Sequence, residues 1–186
     1  MTPERLEPRR RDRGMEEAWI RELLRRAPVG TLAVPDPAAG PPHLNTNLFA
    51  YDEEAEAIVL HTARTGALPE AVGSAGPEGV PASFTVFEMG RLLPADEALE
   101  FSVEYGGVVA RGRARIVEEP EGQEADLQRI LDKYAPHLRP GRDYRPIVAK
   151  ELERTAVYRL EIEAWSGKEK RVDPEFPGAY RYGEVG

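Results

Sequence analysis

With 186 residues, 41% of them apolar and 31% charged, the chain holds enough material for one domain with a substantial core and too little for two ordinary ones. Its 33 acidic residues outnumber 25 basic ones, and the resulting formal charge of −8 would repel a phosphate backbone, which argues against nucleic acid as a partner. Cysteine is absent, which excludes disulfides, thiolate catalysis and cysteine-held zinc or iron–sulfur centres, so any redox chemistry has to come from a bound organic cofactor.

The first fourteen residues carry Arg5, Arg9, Arg10, Arg11 and Arg13 without an interleaved aromatic residue, and read as a solvated, flexible arm. From Met15 to Ala27 an amphipathic helix is predicted, with Trp19, Ile20, Leu23 and Leu24 at helical spacing and Pro28 as its stop. "VGTLAV" (29–34) reads as a strand; a second should run from His43 to Tyr51 and pair through "DEEA" with a third from Ala57 to Thr62. A short helix is expected through Leu68 and Val72, then a strand over Ala82–Met89, with "GRLLPADEA" as a loop. The segment "LEFSVEYGGVVARGRARIV" allows a hairpin turning at Gly106–Gly107 or one long bent strand, and its pattern alone does not decide. A helical stripe follows at Leu127, Ile130, Leu131 and Tyr134, then a short helix over 148–154. In the last strand Tyr158, Leu160, Ile162 and Ala164 alternate with charged residues. The charged, Pro/Gly-rich segment 168–186 reads as a tail around a domain spanning 15–167. About six strands with few helices and no regular alternation point to a small antiparallel barrel rather than a parallel doubly wound sheet. No run approaches the ~18 apolar residues of a membrane span, and the charged head lacks a signal-peptide core, so a soluble cytoplasmic protein with no membrane partner is expected.

Four places could carry chemistry. His61 ends an apolar strand at a polar turn, where an imidazole can act as an acid, a hydrogen-bond partner or a ligand. The turn behind it, Thr62, Ala63, Arg64, Thr65 and Gly66, offers backbone N–H groups, hydroxyls and a guanidinium for a phosphate. Asn45, Thr46 and Asn47 include the chain's only two asparagines, neutral donors and acceptors suited to a heterocycle edge. "WSGK" closes the last strand with an aromatic plate, Trp165, and a cation, Lys168. Histidine spacing does not suit a single-helix metal motif, and no metal site is expected.

Taken in order, "WIRELLRRAPVGTLAV", "VLHTARTG", "LLPADEALEFSVEYGGVVARGRARIV" and "RTAVYRLEIEAWSGKE" resemble the pyridoxamine 5'-phosphate oxidase-like flavin-binding split-barrel superfamily, and within it the nitroimidazole-resistance (Nim-type) proteins. The resemblance implies a mainly β fold, a six-stranded antiparallel split barrel pairing into a homodimer with FMN at each subunit junction. It implies His61 as the cleft histidine, Thr62, Ala63, Arg64 and Gly66 on the phosphate side, Asn45, Thr46 and Asn47 facing the isoalloxazine, and Trp165 and Lys168 reaching a cofactor site. It favours one long strand through Gly106–Gly107. The activity implied is FMN-dependent reduction of a small electron-poor substrate such as a nitroaromatic, with His61 as the catalytic group; non-enzymatic flavin or heme binding on the same scaffold is the alternative. Ala67 departs from the family, many of whose members carry a basic residue directly after the turn glycine.

Overall fold

A computed structural model describes residues 2–184. Eight strands form one sheet: β1 (Glu4–Arg5), β2 (Gly30–Val34), β3 (His43–Asn47), β4 (Ala50–Asp52), β5 (Ala57–Ala63), β6 (Val80–Leu93), β7 (Ser102–Ile116) and β8 (Thr155–Lys170). Four helices lie around it: α1 (Glu17–Arg26), α2 (Ala67–Gly73), α3 (Pro120–Tyr134) and α4 (Ala149–Leu152). The order β3-β2-β6-β7-β8-β5-β4, with β1 parallel to β8 and every other pair antiparallel, curls into a split barrel. The fold class expected from the sequence is therefore present, as is the single long strand: β7 runs unbroken through Gly106 and Gly107, paired with Glu88 and Phe87 of β6.

The two margins of the sheet, β3 and β4, are consecutive in the chain. This corrects the single strand expected from His43 to Tyr51. β3 pairs only with β2, and β4 only with β5, because the backbone changes partners at Leu48–Phe49. Asn47 makes that change possible. Its Nδ2 donates to the carbonyl oxygen of His61 at 2.8 Å while its Oδ1 accepts from the N–H of Leu48 at 2.8 Å, so one side chain supplies the polar partners that the ladder leaves out.

The inner face of the barrel is the main core, including Leu32, Ile58, Leu60, Phe84, Val86, Tyr158 and Leu160, with α1 inserting Ile20, Leu23 and Leu24. Gly106 and Gly167 let α1 approach: a Cβ at Gly167 would sit 2.6 Å from Ile20, and one at Gly106 would sit 3.2 Å from Trp19. A second cluster lies outside the sheet, where α3 covers Ala50, Val59 and Val157 with Ile130, and Leu127 and Tyr134 pack against it. That helix is also pinned by charge. Arg159 on β8 donates to buried Asp126 of α3 at 2.7 and 2.6 Å and to buried Asp52 of β4 at 3.0 Å.

Two irregularities shape the long strands. Gly90 and Arg91 on β6 both face Glu104, and the guanidinium of Arg91 together with the N–H of Val172 holds that carboxyl at a pKa of about 2. Arg91 also donates to the carbonyl of Pro174, and Tyr180 exchanges backbone hydrogen bonds with Leu92, so the tail is docked along β6. On β8, Arg111 pairs with Ala164 but Gly112 pairs with Ile162, which leaves Glu163 as a bulge. The alternation expected from the sequence therefore flips: Ile162 and Trp165 face inward, not Ile162 and Ala164.

Both terminal segments run against the sheet. The arm read as flexible pairs Glu4 and Arg5 with Ala164 and Trp165, and Gly14 bridges Lys168. β8 continues to Lys170, past the boundary expected at 167. Residues 1 and 185–186 of those two segments lie outside the described residues. No helix among the described residues is long and apolar enough to cross a membrane.

Candidate functional site

β5 explains why a histidine stands at the end of an apolar run. Ile58 and Leu60 face the barrel core while Ala57 and Val59 face outward, and all four are fully buried because α3 covers the outer side. His61 follows on that outer face, paired with Val157, at the end of the apolar outer cluster. Its imidazole is half-buried, Nδ1 is buried without a partner, and burial lowers its pKa below the ordinary histidine value. At neutral pH the ring is uncharged, with one nitrogen left for a ligand.

Thr62 turns the other way. Its hydroxyl donates to the carbonyl of Ala63 at 2.8 Å and accepts from the hydroxyl of Tyr158 at 2.7 Å, so it is committed inside the barrel. Ala63 is the last ladder residue, opposite Thr155. The N–H of Arg64 then bonds the carbonyl of Arg154 at 3.0 Å, while its exposed guanidinium donates to Glu118 at 3.2 Å. Gly66, at φ 121°, caps α2 in a conformation that side chains rarely adopt, and a Cβ there would meet nothing within 4 Å. The approach to this turn is open.

The three β3 residues divide between faces. Thr46 is exposed on the outer side, its Oγ1 2.9 Å from that of Thr31. Asn45 is opposite fully buried Leu32 on the inner side, with Oδ1 buried and unpartnered, and Asn47 is spent on the seam. Of the three residues expected to face the isoalloxazine, Thr46 alone shares the outer face of the sheet with His61. Asn47 nonetheless brings the end of β3 against His61.

Trp165 corrects the expectation of a plate over a cleft. The bulge at Glu163 turns it into the core, where it is 0% exposed beneath α1 with the Arg21 guanidinium 5.0 Å from its ring centroid. Lys168 is exposed, but it lies eleven residues along β8 from Val157, the partner of His61, a path of roughly 36 Å along the strand. One chain does not bring Lys168 and His61 into a common site.

The structure adds residues that the sequence did not single out. Tyr158 orients Thr62. Beside Arg64 opens a cavity of about 400 Å³, lined also by Glu118, Gln123, Ala149, Leu152 and Glu153, where the start of α3 meets α4. The one sequence signal for it was the acidic run around Pro120. Among the described residues no cluster of three or more His, Asp or Glu is placed to hold a metal.

The architecture recurs among solved structures. The chain is similar to an FAD- and heme-binding protein of Mycobacterium smegmatis, with a TM-score of 0.72 at 21% identity over 86% of this chain and 74% of that one. It is similar to the flavocytochrome Anf3 of Azotobacter vinelandii, with a TM-score of 0.74 at 22% identity over 94% and 83%. A candidate 5-nitroimidazole antibiotic resistance protein of Bacteroides thetaiotaomicron aligns with a TM-score of 0.64 at 15% identity over 84% and 86%. No curated protein sequence matches the chain. The sequence pattern described as pyridoxamine 5'-phosphate oxidase matches residues 16–169, from the start of α1 almost to the end of β8, and the chain belongs to that family.

Proposed function

We propose that the chain binds a flavin at the outer face of β5 and uses it to reduce a small electron-poor substrate, a nitroaromatic being the first to try. The observation that carries this reading is the neutral, half-buried imidazole of His61, whose buried Nδ1 lacks a partner at the mouth of an open turn. The residues fit such a group: His61 would meet the ring or substrate, and the backbone of 63–66 with Arg64 would face the phosphate. FMN is the smallest flavin that uses both. When bound, the flavin supplies hydride and single-electron transfer. The chain supplies the rest. His61 holds a proton position beside the reacting atoms, Gly66 leaves room for an oxyanion, and the exposed Arg64 can leave Glu118 at small cost, because such surface pairs contribute about 0–1 kcal/mol.

A homodimer belongs to the same reading. Lys168 is too far from the His61 of its own chain, so a lysine at the site would have to come from a second copy. The names of the similar proteins support a flavin in this architecture, and one of them pairs it with heme. Heme is therefore the second reading, favoured by the same uncharged imidazole, which could serve as an axial ligand.

Equilibrium dialysis against FMN, followed by turnover of a nitroaromatic with reduced nicotinamide, tests the first reading. Binding is expected, with a rate above that of free FMN that falls at least about tenfold in His61→Ala. Binding without turnover would leave a flavin carrier. No binding of any flavin, with a Soret band on heme titration that is lost in His61→Ala, would replace flavin by heme.

A further inference from the structure

The outward side of β7 carries Arg111, Arg113 and Arg115 beside the outward glutamates of β8. Two of these arginines are occupied. Arg113 donates to the carbonyls of Glu78 and Gly79, each at 2.7 Å, and Arg115 holds Glu161 at 2.8 Å. In the register that pairs Arg113 with Glu161 and Gly112 with Ile162, the residue opposite Arg111 would be Glu163, its cross-strand counter-ion. The bulge takes it away. Arg111 pairs with Ala164 instead, and among the described residues no hydrogen bond or ion pair reaches its guanidinium or the Glu163 carboxylate.

Both displaced charges line one cavity of about 470 Å³, within the range of small-molecule sites, roughly 300–1,000 Å³. Ala33, Ser83 and Arg111 stand side by side in register on β2, β6 and β7, so two small side chains leave a trough next to the guanidinium, with a hydroxyl in it. Pro35 and Pro81 add apolar walls. A guanidinium presents paired N–H groups that suit a carboxylate, and the Ser83 hydroxyl can donate to the same group; the Glu163 carboxylate suits an ammonium. Bulges recur where a strand re-aims a side chain toward a site. We infer that this cavity binds a small zwitterion with an apolar body, an apolar α-amino acid being the simplest. The site is separate from the flavin site proposed above and does not depend on it: Glu163 lies six residues along β8 from Val157, the partner of His61, a path of roughly 20 Å along the strand.

Saturation-transfer NMR of the full chain with L-leucine, and separately with its two halves, 3-methylbutylamine and 4-methylpentanoate, tests the inference. Leucine is expected to bind with a Kd on the order of 1 mM, because both charges are exposed, and at least about fivefold more tightly than either half. Arg111→Gln and Glu163→Gln, substitutions at exposed positions, are each expected to weaken leucine about fivefold or more. The halves separate the two charges: the amine should be unchanged in Arg111→Gln and the carboxylate unchanged in Glu163→Gln. Leucine binding no tighter than either half, leucine affinity unchanged in both variants, or no leucine signal up to about 10 mM would each overturn the assignment.

Discussion

His61 shows how one position joins fold to chemistry. The strand needs apolar residues on both faces while α3 covers it, and the first outward position beyond the apolar cluster is where a polar group becomes tolerable. Half-burial then keeps the imidazole uncharged. Because its folded-state pKa is depressed, the unfolded chain binds the proton more readily, and the folded state loses stability as pH falls below the ordinary histidine value of about 6.5. Above that value the contribution is fully present. His61→Gln is expected to flatten the fall of the stability-versus-pH curve below about pH 6.5, read as the difference in urea midpoints between the two proteins. Identical slopes would show that the ring is not desolvated in the fold. The histidine and the turn behind it were legible as a sequence pattern. The division of Asn45, Thr46 and Asn47 between faces was not, because it depends on which edge of the barrel β3 occupies.

Among elements, the bulges matter most. Trp165 lies in the core because one extra residue at Glu163 reverses every following side chain, where the alternation of Tyr158, Leu160, Ile162 and Ala164 would have turned it outward. Nothing in "EIEAWSG" announces that insertion. It lets β7 and β8 stay paired from Tyr105–Lys170 to Ile116–Tyr158 while the sheet curls, and Gly112 is its counterpart: a Cβ at Gly112 would collide with the carbonyl oxygen of Glu161, and no rotamer relieves a clash with backbone. Gly112→Ala is expected to cost about 3 kcal/mol or more in chemical denaturation, at the upper end of overpacking effects. Gly107→Ala on the same strand meets nothing closer than 3.5 Å and is expected to stay within about 0.5 kcal/mol. Equal costs would mean that the bulge is not the constraint. The other elements were readable where local pattern sufficed, as in α1, the body of β5 and the stripe of α3. They were not where long-range pairing decided: the splitting of 43–51, the extension of β6 through "GRLL", and the docking of both termini on β8 and β6.

At the scale of the molecule, the outer face formed by β3, β2, β6 and β7 is uncovered. Leu44 is 64% exposed and Phe87 66%, and Phe87 stacks on Tyr105, whose ring and hydroxyl also meet Arg13. Exposed apolar side chains of this size on an uncovered sheet face favour a partner surface, and a second copy is the partner proposed. Sedimentation at micromolar concentration is expected to give a dimer, and Phe87→Glu a folded monomer with weakened flavin binding. A monomer in the unaltered chain would separate the site from dimerisation. The insertion of α1 into the barrel has a consequence of its own. The chain's two indoles are Trp19 on that helix and Trp165 directly beneath it. Intrinsic ultraviolet emission thus comes from a single junction and reports the seating of the opening helix, while changes elsewhere in the molecule pass almost unseen by that probe.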